Sequence, residues 1–181
     1  MTELQQNILA RCKNGERMAQ QQLYEHFKGK MFAVCLRYAN SRQDAEDVLQ
    51  EGFVKVFRDL HQFRGEGSFE GWMRRVIVNV ALQHLRKQRG GLQFAELENV
   101  EYKLGEVEDS VFEENEKAAA LVKLMQKMPA GFRTVLNLYV LEEYSHQEIA
   151  DELGISVGTS KSQLNRAKLF LKNLLEKNLA G

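Results

Sequence analysis

From Thr159 to Lys168 the sequence places Thr159, Lys161, Ser162, Gln163, Asn165, Arg166 and Lys168 on the outward side of a helical period. Leu164, Ala167 and Leu171 take the inward side. The outward set offers hydroxyl, amide and cationic donors, and its charges, Lys161, Arg166 and Lys168, are all positive. Those are the groups that hydrogen-bond base edges and neutralise phosphates. Just upstream, Ser145 and Glu148 have the spacing of a capping box. Ile149, Ala150 and Leu153 share one face. Gly154 stands where a helix stop wants a left-handed residue. Ser156 can cap the next helix. A short helix, a glycine turn and a polar, basic second helix are the parts of a DNA-reading helix-turn-helix. A plain helical hairpin in a bundle would face water with mixed charges instead.

A second set lies earlier. Ser68 can cap a helix whose apolar side is Phe69, Trp72, Met73, Val76, Ile77, Val80, Ala81 and Leu85. Arg75, Asn79, Gln83 and Arg86 stand in one line on the other side, followed by Lys87 and Arg89. This row suits base edges and phosphates, or is a solvated basic face. Before it, His61 to Gly71 breaks the helical period. There Phe63 and Phe69 beside Arg64, in a flexible loop with Gly65 and Ser68, could stack on an unpaired base, or the phenylalanines could fold back into the core. A third set sits on a helix capped by Ser41. Ala45, Val48, Leu49, Gly52, Phe53, Val56, Phe57 and Leu60 form its inner stripe. Asp44, Asp47, Gln50, Glu51, Lys55 and Arg58 form its outer face. The acidic part is either solvated or a docking surface for a basic partner.

Covalent chemistry finds no support. His26, His61, His84 and His146 lack metal-ligand spacing, and no phosphate-binding glycine loop or nucleophile motif is present. The expectation is therefore a non-enzyme without cofactor or metal. Cys12 and Cys35 are far apart and suggest neither a disulfide framework nor a zinc site, and Cys35, in an apolar helical run, reads as a core thiol. No signal peptide is visible and no run is long enough to span a bilayer, so a cytoplasmic protein is expected.

The elements that must position these sets are all helical. Apolar spacing is three-four throughout, and the single proline is Pro129. The 181 residues carry 25 basic and 25 acidic side chains, but unevenly. Residues 1–91 hold 15 Lys and Arg against 10 Asp and Glu, residues 92–117 hold 2 against 9, and residues 118–181 hold 8 against 6. Two basic units flanking an acidic connector suit a nucleic-acid binder. The spacing predicts helices over 3–13, 16–28 (interrupted at Gly29 and continued over Met31–Tyr38), from Ser41, and from Ser68. Gly90-Gly91 ends the first unit, and residues 92–115 are acidic and weakly periodic. A helix from Glu116 to Met128, a break at Pro129-Ala130-Gly131 and a helix over Phe132–Leu141 lead back to Ser145. The chain is thus all-α: two small helical domains joined by an acidic linker, the C-terminal one a four-helix helix-turn-helix domain.

Asp44-Ala45-Glu46-Asp47-Val48-Leu49-Gln50-Glu51, Phe63-Arg64-Gly65, and Trp72 with Arg75, Val78 and Asn79 together resemble region 2 of a bacterial RNA polymerase sigma factor. Met128-Pro129, Phe132-Arg133, Leu138 and Ser145 to Ala167 resemble region 4. The run Gly158 to Ala167 is similar to that family's Gly-Thr-Val-Lys-Ser-Arg-Leu-x-Arg-Ala pattern. Two domains, one linker and nothing else resemble the extracytoplasmic-function (ECF) group.

The resemblance implies roles. Residues 1–91 would dock on core polymerase and melt the downstream (−10) promoter element, 92–115 would be the linker near the emerging RNA, and 116–181 would read the upstream (−35) element. Asp44, Asp47, Gln50 and Glu51 would bind the clamp helices of the largest subunits. Phe63, Arg64, Gly65, Ser68 and Phe69 would capture a flipped base. Arg75 and Asn79, with Gln83 and Arg86 in the same line, would contact the downstream element, and Trp72 would support the helix. Thr159, Lys161, Ser162, Gln163, Asn165, Arg166 and Lys168 would face the upstream element. An anti-sigma factor would be a further partner. Three departures from the pattern stand out. Ser160 stands at an inward position usually apolar, Gln163 replaces a common arginine, and Lys161 with Asn165 occupy reading positions that vary among members. A stand-alone helix-turn-helix repressor or activator is the rival reading; it leaves the first unit idle.

Overall fold

The computed structural model describes residues 3–87 and 116–179. The Gly90-Gly91 stop and the acidic connector 92–115 lie outside the described residues. The chain divides into two compact units, and among the described residues every regular element is helical.

The first unit holds α1 (Glu3–Lys13), α2 (Arg17–Tyr38), α3 (Arg42–Asp59), a 3-10 turn (Leu60–Gln62) and α4 (Phe69–Lys87). Ser41 starts α3 as expected: its hydroxyl accepts from the Asp44 amide at 3.0 Å. Helices α2, α3 and α4 pack mutually around Leu23, Phe27, Met31, Cys35, Val48, Val56, Met73 and Ile77, all buried. Gly52 makes the α3–α4 approach possible. A Cβ there would lie 2.9 Å from Ile77 Cγ1. The expected interruption at Gly29 is absent, and α2 runs unbroken through it. A helical glycine costs about 1 kcal/mol against alanine. Burial of Met31, Phe32, Val34, Cys35 and Leu36 in the following turns outweighs that.

The second unit holds α5 (Glu116–Gln126), α6 (Ala130–Leu136), a π turn (Asn137–Leu141), α7 (His146–Leu153) and α8 (Val157–Leu179). Its core includes Val122, Met125, Phe132, Val135, Leu138, Ile149, Leu164 and Ala167. Two expectations are corrected. The helix after Pro129 begins at Ala130, with Pro129 as its N-cap. Its last part is a π turn, in which the Glu142 amide donates to the Asn137 carbonyl at 3.1 Å. A π turn inserts residues into the helical register. Tyr139 and Val140, although apolar, come out 38% and 50% exposed.

Candidate nucleic-acid interface

The α7–α8 corner is built by local hydrogen bonds. The Ser145 hydroxyl accepts from the Glu148 amide at 3.2 Å, and the Glu148 carboxylate accepts from the Ser145 amide at 2.8 Å. Gly154 takes the left-handed conformation, φ 66° and ψ 36°, that ends α7. The Ser156 hydroxyl accepts from the Thr159 amide at 2.9 Å and shares a second bond with the Thr159 hydroxyl at 2.9 Å. Helix α8 then exposes Lys161, Ser162, Asn165, Arg166 and Lys168 on one side, with Thr159 half-buried at its start.

Gln163 does not join them. It is 3% exposed and lies inward with Ser160, Leu164 and Ala167. Positions 160, 163, 164 and 167 form one stripe at helical spacing. The outward reading of Gln163 followed its polar type and is overturned by that geometry. Ser160, fully buried as its register demands, pairs with His146: its hydroxyl lies 2.9 Å from His146 Nδ1. Tyr139 stacks on the same imidazole, with ring centroids 4.6 Å apart, and Lys168 Nζ sits 5.9 Å above the tyrosine ring. Burial, then the nearby Lys161 and Lys168 ammoniums, hold His146 below the usual histidine range. Sequence reasoning assigned no role to His146. Its partner is 14 residues away, across the turn.

In the first unit, Asp47, Gln50 and Glu51 are exposed on α3. Val54, 68% exposed, follows one turn on and extends the same face. The sequence reading passed over Val54, although its spacing from Asp47, Gln50 and Glu51 marks it. Asp44 is turned differently. It is half-buried, with its carboxylate 3.7 Å from His84 Nε2 of α4. The α4 row exposes Arg75, Gln83 and Arg86, with Asn79 half-buried among them.

The loop between the 3-10 turn and α4 answers one of the open alternatives. Phe63 and Phe69 are only 5% and 6% exposed. Their ring centroids are 5.2 Å apart, and Trp72 lies 5.6 Å from Phe63 and 5.7 Å from Phe69. The three rings bury one another, so the two phenylalanines form a floor and do not offer a free stacking face. This corrects their reading as base-stacking side chains. What the loop presents is Arg64, Gly65, Glu66, Gly67 and Ser68. Gly65 and Gly67 hold φ of 84° and 75°, backbone that side-chain-bearing residues rarely adopt. Ser68 caps α4, its hydroxyl accepting from the Gly71 amide at 3.3 Å.

Both cysteines are buried, and burial pushes the Cys35 thiol up to about 12. Among the described residues no cluster of His, Cys, Asp and Glu could hold a metal ion. No described helix is long and apolar enough to cross a membrane.

Comparison with known proteins gives the family. The Sigma-70 region 2 family matches residues 23–90, and the Sigma-70, region 4 family matches residues 118–171. The RNA polymerase sigma-H factor of Pseudomonas aeruginosa is 30% identical over 183 residues, spanning 96% of this chain and 95% of its own. The ECF RNA polymerase sigma-E factor of Haemophilus influenzae is 30% identical over 182 residues, spanning 94% and 95%. The chain belongs to the ECF sigma factors. As an alternative sigma factor it serves transcription initiation through DNA-binding domains. The stand-alone regulator reading falls, because the family match takes in the first unit as well as the second. The fold recurs in two solved structures. One is CnrH in complex with the cytosolic domain of CnrY (22% identity, TM-score 0.50, 94% of this chain and 96% of that one). The other is the sigma factor RpoE with the anti-sigma factor NepR from Bartonella quintana (20% identity, TM-score 0.51, 86% and 96%).

Proposed function

We propose that this sigma factor docks on RNA polymerase core through α3 and engages a promoter at two elements. Residues 1–91 dock and open the downstream element, residues 92–115 link, and residues 116–181 grip the upstream element. The observation that carries the docking is the α3 face. Asp47, Gln50 and Glu51 share their face with an exposed valine, Val54, one turn on, where a purely solvated face would be polar throughout. Apolar area beside charged and amide groups is what a docking face offers a partner. Asp44, engaged toward His84, contributes to this face only at its edge.

Strand opening falls to the loop and α4. Arg64 and the open backbone of Gly65 to Ser68 meet a flipped base above the floor of Phe63, Phe69 and Trp72. Arg75, Asn79, Gln83 and Arg86 follow the adjacent strand. Extruding a base costs a few kcal/mol, which contacts to its edge and phosphates offset. On α8, Lys161, Asn165 and Arg166 face base edges, and Thr159, Ser162 and Lys168 face the backbone. All of this is binding; bond formation stays with the polymerase, and no cofactor is required. The setting is the cytoplasm, where core polymerase and chromosome meet. An anti-sigma protein is the proposed regulator, as for the relative solved with NepR.

Charge reversal at Asp47 and Glu51 together tests the docking. Core affinity is expected to collapse while the Trp72 emission, which reports the packed first unit, stays native. Unchanged core affinity would remove α3 as the docking face.

A further inference from the structure

Helix α1 has no part in the docking face or either DNA-facing row, yet its last residue reaches the loop. Lys13 Nζ donates to the Phe63 carbonyl at 3.0 Å, across 50 residues of sequence. We propose that Lys13 is a positioning residue for the strand-opening loop, fixing the backbone at the point where the exposed segment 64–68 begins. This rests on the reading of that loop as the base-capturing element.

The loop has little else to hold it. Beyond the adjoining residues of the chain, no heavy atom comes within 4 Å of a Cβ built on Gly65 or Gly67, so both glycines stand in open space. Order must come from the two ends. At the far end, Ser68 caps α4, and Glu70 of its first turn pairs with Lys30 of α2 at 3.0 Å. At the near end, the Phe63 amide donates to the Leu60 carbonyl at 3.2 Å, and its ring is buried. The Phe63 carbonyl is the last near-end backbone group before the open stretch, and Lys13 holds it. A hydrogen bond from a charged donor is stronger than a neutral one.

Lys13 is itself held. Leu9 and Cys12 are buried. The Cys12 carbonyl accepts from Gln20 Nε2 at 3.5 Å, and Arg11 pairs with Glu16 at the start of α2. The ammonium therefore projects from a fixed helix end. Its position in the last turn also suits the helix dipole.

The test uses holoenzyme assembled with core polymerase. The probe is single-stranded DNA carrying the non-template downstream element of a promoter at which the wild-type holoenzyme starts. Affinity is measured for wild type, Lys13→Met, Lys13→Arg and Arg64→Ala over a range of salt. Lys13→Met is expected to weaken binding about three- to tenfold, the range for one hydrogen bond. It should also shrink the penalty for substituting the captured base. Lys13→Arg, which keeps a charged donor, should restore both. Core affinity and the salt slope should not change. If Lys13→Met binds and discriminates as wild type does while Arg64→Ala is weakened, the Lys13 role is overturned and the loop reading stands. If neither variant is weakened, the loop reading itself fails and takes the Lys13 role with it. A salt slope that drops by about 0.7 in Lys13→Met would show a direct phosphate contact instead, and would also overturn positioning.

Discussion

Gly52→Ala should destabilise the first unit, although alanine is the better helix former. The added Cβ would sit 2.9 Å from Ile77 Cγ1. Ordinary carbon contacts are about 3.5–4.0 Å, so a shortfall of roughly 0.6 Å or more must be absorbed. Ile77 is fully buried beside Met73 and Val78, and has no open side to turn toward. Overpacking of this kind costs about 1–3 kcal/mol. The helical gain from glycine to alanine returns about 1 kcal/mol, leaving a net loss of roughly 1 kcal/mol. Trp72 is the single tryptophan and packs on Phe63 and Phe69, so its fluorescence reports this unit alone. With a urea slope of about 1 kcal/mol/M for so small a unit, the midpoint should fall by roughly 1 M. Ile77→Ala costs stability by itself, but combined with Gly52→Ala the losses should sum to less than their total, because the new methyl enters the space vacated. A Gly52→Ala midpoint equal to or above wild type would refute the close-approach argument.

Three further outcomes are expected in the second unit. Ser145→Ala removes one arm of the capping box and should cost about 1 kcal/mol; Gly154→Ala, forced to hold φ 66°, should cost about 1–2 kcal/mol. Both are read as shifts of the thermal transition by circular dichroism, and unshifted transitions would show that the corner does not depend on its caps. His146 is held below the ordinary histidine value of 6.5 by burial and by Lys161 and Lys168. The unfolded chain therefore takes up the proton first: stability is full above that value and is lost as pH falls through the depressed one. The groups facing the imidazole are Ser160, Tyr139 and the two lysines. His146→Gln should flatten this dependence, and a wild-type profile no steeper than the variant's would contradict it. Lys161→Ala and Arg166→Ala should each weaken upstream-element binding by about 1–3 kcal/mol for every base edge the side chain reads. Promoters whose upstream element can be scrambled without effect would remove α8 as a reader.

Features that depend on neighbours in sequence were legible without coordinates. Ser41, Ser145, Gly154 and Ser156 each mark a helix end because capping is a hydrogen bond three residues long or a single backbone conformation. Features that depend on what lies across the fold were not. Gly29 looks like a break until the burial of the next two turns is known. Gln163 looks outward by type, but its register puts it inward. Phe63 and Phe69 had two open readings, and only the packing of Trp72 against both decides between them. The Lys13–Phe63 and His146–Ser160 bonds join distant residues and leave no local pattern. The family resemblance spans both kinds of feature, which is why it reached function when residue types alone left the α3 face and the loop undecided.

Transcription from a genomic DNA library by purified core polymerase, with and without this protein, tests the central claim most directly. The account predicts new start sites only when the protein is added, sharing two sequence elements at a constant spacing, with permanganate-reactive thymines at the downstream one. Tight DNA binding by the protein alone, with no new start site on adding it to core enzyme, would contradict the account.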